Sequence, residues 1–158
     1  MRKIILFILL LFLSIPCFAE ETIYLDEKWD KEASKILYEF VLDDIGMSPQ
    51  NAYHAFGYEL SAVRATFYDL NSDGKNEIVG YINVSSSYCE DGADFYILTK
   101  NNNKYEDISS IHFLPFNGVQ VYDSMTNGFY DIGVLVTKQH KNVKAKYNKQ
   151  YYEYFFPN

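Results

Sequence analysis

The sequence predicts an α+β domain: an N-terminal amphipathic helix packed on an antiparallel β-meander, with a polar hairpin loop of the pattern DxNxDGxxE between the first two strands of the body. Three patterns carry this prediction. Apolar residues recur at three- and four-residue steps from Trp29 to Ile45, period-two alternation sets in after Leu60, and Asn/Gly-rich clusters then interrupt the chain at short intervals. Residues 26–57 form the helical front and 60–156 the β-rich body, within one domain spanning 20–158. A chain of that length can bury a core without disulfide staples.

The first segment reads as an address rather than as structure. Arg2 and Lys3 precede an apolar run from Ile4 to Ile15, then a helix-breaking Pro16, Cys17-Phe18-Ala19 and the acidic pair Glu20 and Glu21. Small residues at 17 and 19 match what a signal peptidase reads, so residues 1–19 are expected to be a cleaved signal peptide, with cleavage near Ala19. The run is about 12 residues against the ~20 needed to cross a bilayer. Pro16 also stands where a lipoprotein signal carries a small residue. The expected location is periplasmic, or secreted, with no stable membrane span.

Charge and cysteine count narrow the partners. The chain carries a net charge of −7, and cleavage would remove two cations and no acid. An acidic surface repels phosphate, which argues against nucleic acid. The five lysines between Lys138 and Lys149 are spread along an expected hairpin and read as solvated edge charges. With Cys17 removed, Cys89 has no intramolecular partner, so it is either a free buried thiol or the anchor of an intermolecular bridge. His54, His112 and His140 are far from it in sequence, and nothing places a base beside it for nucleophilic catalysis.

In the helical front, Asp26 is the expected N-cap. Trp29, Ala33, Ile36, Leu37, Phe40, Val41 and Ile45 form one stripe that ends at Gly46. A second short helix is expected over 48–56, where Ser-Pro is a helix-start signal. In the body, Val63, Ala65 and Phe67 alternate with Arg64, Thr66 and Tyr68, and a β-branched run follows from Glu77 to Val84. Further strands are expected at 95–99, around 105–108, at 111–114, around 119–122 and at 130–137, with a closing hairpin over 143–154. The turns between them fall at 101–103, 115–118, 126–128 and 148–150.

The loop joining the first two strands is the most informative segment. Asp69, Asn71 and Asp73 offer side-chain oxygens at loop positions one, three and five, Gly74 permits a sharp turn, Lys75 offers its carbonyl, and Glu77 closes the ring at position nine. That is the spacing by which a loop wraps calcium. Plain turns also favour Asp, Asn and Gly, but they do not require four acceptors at alternate positions. An EF-hand is excluded, because the flanks are strands and the twelfth position is Gly80 rather than a bidentate acid. Magnesium tolerates a multi-ligand protein cage poorly, and zinc would call for His or Cys in the loop. The expected cofactor is a structural Ca2+.

A faint internal repeat relates Glu77-Ile78, followed by the turn before Tyr105, to Asp131-Ile132, followed by the turn before Tyr151. It suggests two small meanders, of which the second has lost the metal loop.

The stretch from Phe67 to Val79 resembles the calcium-bearing strand-loop-strand of FG-GAP and integrin-like (VCBS-type) repeats. The wider pattern, with Ser87-Tyr88-Cys89 and 127–132, is similar to small bacterial envelope proteins built around a single such unit. The resemblance implies calcium at Asp69, Asn71, Asp73, Lys75 and Glu77 and a non-catalytic role. Asp94 stands where such relatives carry a second cysteine, so the loop 85–94 lacks that clip. The chain is too short for a closed propeller.

Two weaker constellations remain. Glu90, Asp91 and Asp94 flank Gly92 and would serve a calcium-dependent hydrolase acting on envelope glycans, although an acidic solvated loop explains them as well. Tyr147, Tyr151, Tyr152 and Tyr154 crowd the last hairpin, where a sheet can bury one face only, so the other face is the expected interaction surface. The leading expectation is an exported, non-catalytic calcium-binding interaction module of the bacterial envelope. Its partner is another envelope protein or a glycan, and one form of it is an inhibitor or immunity protein against a cell-wall-directed enzyme.

Overall fold

The computed structural model describes residues 21–25, 27–84, 92–109, 116–136 and 141–155. The expected signal peptide, Cys89, Glu90, Asp91, His112, His140, Asp26 and the strand at 111–114 lie outside the described residues. No helix among the described residues is long and apolar enough to cross a membrane.

Among the described residues, two helices and two antiparallel sheets make up the fold. After a short strand β1 (Glu21–Ile23) come helices α1 (Lys31–Asp44) and α2 (Pro49–Phe56) and a single 3-10 turn (Leu60–Ala62). Eight strands follow: β2 (Val63–Tyr68), β3 (Glu77–Val84), β4 (Gly92–Asn101), β5 (Lys104–Asp107), β6 (Phe116–Thr126), β7 (Phe129–Val136), β8 (Lys141–Tyr147) and β9 (Tyr152–Phe155). One sheet has the order β2-β3-β4-β5 and the other β1-β6-β7-β8-β9. The body is thus two meanders, as the faint repeat suggested, in separate sheets. β1, which precedes the helical front, completes the edge of the second sheet by pairing Glu21–Ile23 with Val121–Val119.

Alternation along the strands divides the core in two. Val79, Tyr81, Phe95 and Ile97 of the four-stranded sheet meet Val119, Val121, Ile132, Val134 and Tyr152 of the five-stranded sheet. On the other face of the four-stranded sheet, Val63, Ala65, Ile78, Ile82 and Leu98 receive Ala33, Leu37 and Val41 of α1 and Ala52 of α2. The four-stranded sheet is therefore covered on both faces. Gly80 permits close packing there, since a Cβ at this position would fall 2.5 Å from Ala65 Cβ and 2.7 Å from the Arg64 carbonyl oxygen. This is the packing reason for the glycine at the loop's twelfth position.

Helix α1 begins four residues later than the sequence suggests, with Asp30 rather than Asp26 as its N-cap. Asp30 Oδ1 accepts from the Glu32 and Ala33 N–H groups at 2.8 and 2.9 Å. The Asp30 N–H donates to the Ala65 carbonyl at 2.7 Å, which ties the start of the helix to β2. Trp29, expected at the head of the apolar stripe, consequently lies outside the helix. Inside it, Ala33, Leu37 and Val41, spaced by four residues, are buried, and Ile36, Phe40 and Ile45 of the expected stripe pack half-buried against the same core. Burying Leu37 and Val41 stabilises the fold by roughly 1.5–3 kcal/mol each. Helix α2 starts with a Ser48 cap and Pro49 and ends at Gly57 in the left-handed region, φ 73°.

The two meanders agree in strand order, but the sequence repeat does not superimpose their faces. Glu77 shares its face with Val79 and Tyr81, toward the core between the sheets, whereas Asp131 neighbours Ile132, whose side chain takes that direction. Asp131 instead meets Ser124 Oγ at 2.8 Å and the Lys144 and Lys146 ammonium groups at 3.5 and 4.0 Å. The counterpart of the polar loop is a two-residue turn, Asn127-Gly128, with φ of 53° and 87°.

Candidate metal centre

The polar loop hangs between β2 and β3, whose last pair is Tyr68 with Glu77. Its backbone curls through two left-handed residues, Ser72 at φ 58° and Gly74 at φ 80°. No atom stands within 4 Å of a Cβ built on Gly74, so glycine serves conformation there rather than space. The oxygen-bearing side chains turn inward onto the loop's own amides. Asp69 Oδ1 accepts from the Asn71 and Asp73 N–H groups at 3.3 and 3.2 Å, and Asp69 Oδ2 from the Gly74 N–H at 2.9 Å. Asn71 Oδ1 accepts from the Asp73 N–H at 3.0 Å, and Asp73 Oδ1 from the Lys75 N–H at 2.8 Å.

Glu77 closes the loop from below. It is 3% exposed, and its Oε2 accepts from the Leu70 N–H at 2.8 Å. Its Oε1 takes longer contacts from Thr99 Oγ1 at 3.4 Å and Asn71 Nδ2 at 3.5 Å. Burial is the main cause that raises its carboxyl above the ordinary glutamate value. The charges of Asp73 and Asp69 push the same way, and the Leu70 amide opposes them. Lys75, 4.0 Å from Asp73, is a highly exposed counter-charge and contributes little. A cavity of about 400 Å³ opens beside Asp73, Glu77 and Thr99 toward the β4–β5 turn at Asn102 and Asn103.

The loop also fastens the two sheets together. Leu70, the apolar residue at its second position, is fully buried in the core between them. Its carbonyl accepts from the Tyr130 N–H of β7 at 2.8 Å, and Ser72 Oγ donates to the Tyr130 hydroxyl at 3.0 Å. Tyr152 Oη donates to the Tyr130 carbonyl at 2.9 Å, which extends the tie to β9.

The donor set suits a hard divalent cation. All four side chains offer oxygen, and none offers nitrogen or sulfur as a ligand. Glu77 is a buried carboxylate that neighbouring negative charge disfavours, a penalty that a cation would relieve. Among the described residues, no three His, Cys, Asp or Glu side chains stand close enough together to hold a metal ion in this arrangement. The three acids of the loop are instead spread over its amides.

The structure redistributes the other expected site residues. Tyr152 is fully buried, and Tyr147 packs on Phe129 with ring centroids 4.3 Å apart, both against the core between the sheets. The hairpin's inner face therefore holds Tyr152 with Tyr147 beside it, which removes Tyr152 from the expected surface. Tyr151 is half-buried, and the side chain of Tyr154 lies outside the described part of the structure. Asp94 is not in an open acidic loop. It lies in β4, 4% exposed, and accepts a hydrogen bond from the Tyr58 hydroxyl.

Sequence reasoning missed Thr99, Leu70 and Tyr130 as partners of the loop. Leu70 alone left a signal, being the one large apolar residue in an otherwise polar segment. Comparison with protein-family models, curated proteins and solved structures finds no match for the chain.

Proposed function

We propose that this protein is an exported, non-catalytic binding module of the bacterial envelope whose β2–β3 loop holds a structural calcium ion. The observation that carries the reading is Glu77: a buried carboxylate at the loop's closing position, facing Asp69 and Asp73 and tied through Leu70 to the facing sheet. Asp69, Asn71, Asp73 and Glu77 would supply side-chain oxygens and Lys75 its carbonyl. The ion would neutralise the repulsion among the three acids and stiffen the join between the sheets. A non-catalytic role fits the engagement of Asp94 with Tyr58, which takes from the hydrolase reading the one acid of its set that the structure describes. The envelope location rests on the apolar leader, and the partner is another envelope protein or a glycan. The sharper form, an inhibitor or immunity protein against a cell-wall-directed enzyme, rests on size and negative charge.

Thermal unfolding with calcium or with a chelator tests the ion. Sites of this kind bind at ~10⁻⁴ to 10⁻³ M. Calcium at about tenfold over its dissociation constant adds roughly 1.4 kcal/mol, a rise of a few degrees in Tm. Asp73→Ala abolishes the difference. A melt that chelation leaves unchanged refutes the calcium reading.

A further inference from the structure

A groove of about 490 Å³ runs between the start of α1 and the 3-10 turn, lined by Trp29, Lys31, Ser34, Leu60, Ser61 and Arg64. Its composition differs from the rest of this acidic chain, for the described lining holds two cations and no acid. Trp29 and Leu60 remain 40% and 46% exposed. Arg64 is held in place by backbone and ring. Its Nη1 donates to the Ser61 and Val63 carbonyls, both at 2.8 Å, and its guanidinium carbon lies 4.9 Å from the centroid of the Trp29 ring. Among the described residues, neither Arg64 nor Lys31 is within ion-pair distance of a carboxylate. The nearby Asp30 carboxylate is committed to capping α1.

A guanidinium held by backbone carbonyls and stacked on an indole has already lost much of its rotamer freedom, so a carboxylate can bind it at lower entropic cost. Tryptophan and arginine side by side are also the residue types that dominate binding energy at protein interfaces. The platform is anchored on both sides: Trp29 precedes Asp30, whose N–H is bonded to the Ala65 carbonyl, and Leu60 opens the turn that leads into β2. A phosphate backbone would find the same two cations, but on a chain of net charge −7.

We propose that this groove docks a segment of a partner protein that carries a carboxylate beside an aliphatic or aromatic side chain. The carboxylate pairs with Arg64, and the apolar side chain covers Trp29 and Leu60. The inference rests on the binding-module reading and is independent of the calcium ion, so calcium-dependent stability with an inert groove sinks this proposal alone.

The test is selection of a random short-peptide display library on the purified protein with calcium present. Selected sequences, made without tryptophan, are then titrated against the fluorescence of Trp29, the single tryptophan of the chain. The expected peptides carry Asp or Glu next to Leu, Ile or Phe. Changing that acid to its amide, or introducing Arg64→Met or Leu60→Ser into the protein, weakens binding by about tenfold or more. Leu60→Ser leaves the Arg64 backbone bonds in place, so it remains informative if Arg64→Met fails to fold, as circular dichroism reports. An empty selection, peptides without the acid, or affinities unchanged in both variants overturn the proposal. So does a dimer in sedimentation that Leu60→Ser dissolves, which would seat a second copy in the groove.

Discussion

Glu77 is the residue on which the account turns, because two of its properties conflict without a cation. Its position requires a carboxylate buried next to Asp69 and Asp73, yet burial and like charge both favour the neutral form. Glu77→Gln keeps an acceptor for the Leu70 amide and removes the charge. Thermal melts should then show opposite effects in two media: in chelator the variant melts a few degrees higher than the parent, and in calcium it loses most of the parent's gain. A variant that melts lower in both would make Glu77 an ordinary structural acceptor. Asp69, Asn71 and Asp73 were legible in the sequence because their spacing is local and each accepts from amides within five residues of itself, and Gly74 because the turn it permits is local too. Thr99 and Tyr130 were not, since they reach the loop from distant strands.

Among the elements, legibility follows the same division between local and tertiary causes. Helix α2 announced itself through Ser48 and Pro49, which act within one turn. For α1 the period was visible but the start was not, because the residue that decides it, Asp30, is fixed by a backbone bond to Ala65 across the fold. β1 was missed for a related reason: three residues after the expected cleavage site carry no pattern of their own and become a strand only against β6. The closing hairpin was read as β correctly, but which of its faces is buried was not legible, and Tyr152, counted with the surface, points into the core. The join between the helices and the sheet has its own polar fastening, in which the Tyr58 hydroxyl, one residue past the end of α2, donates to the buried Asp94 of β4. Burial and the Asp94 hydrogen bond hold that phenol well above its ordinary value. Denaturant unfolding of Tyr58→Phe should show a loss of about 1–3 kcal/mol, as expected when a buried carboxylate loses a donor. A change below about 0.5 kcal/mol would mean that the other groups around Asp94 satisfy it without Tyr58.

For the molecule as a whole, the fold class was readable and the layering was not. A helical front and a strand-rich body could be assigned from periodicity, but alternation does not say which of two sheets a strand joins. The three layers, helices on the four-stranded sheet on the five-stranded sheet, emerge only from the split between the two cores. The tyrosines bind the layers and set a pH limit. Burial first, then neighbouring acids, raises Tyr58, Tyr96 and Tyr152 strongly above 10.0, and Tyr68 is pushed up to about 12. A tyrosine whose folded value is raised contributes stability that is intact below its unfolded value, near 10.0, and is lost as pH rises through the folded one. Stability should therefore fall above about pH 10, with the buried phenols of Tyr58, Tyr96 and Tyr152 ionising together with unfolding rather than ahead of it. Ionisation of Tyr58, Tyr96 or Tyr152 in a still-folded protein would contradict this.

The most direct test of the calcium clamp is amide hydrogen exchange at Tyr130, whose N–H is bonded to the Leu70 carbonyl across the two sheets. Calcium should slow exchange at Tyr130 and at Leu70, by about tenfold for each 1.4 kcal/mol of added local stability, and Asp73→Ala should erase the difference. Equal exchange at both amides with calcium and with chelator would contradict the clamp.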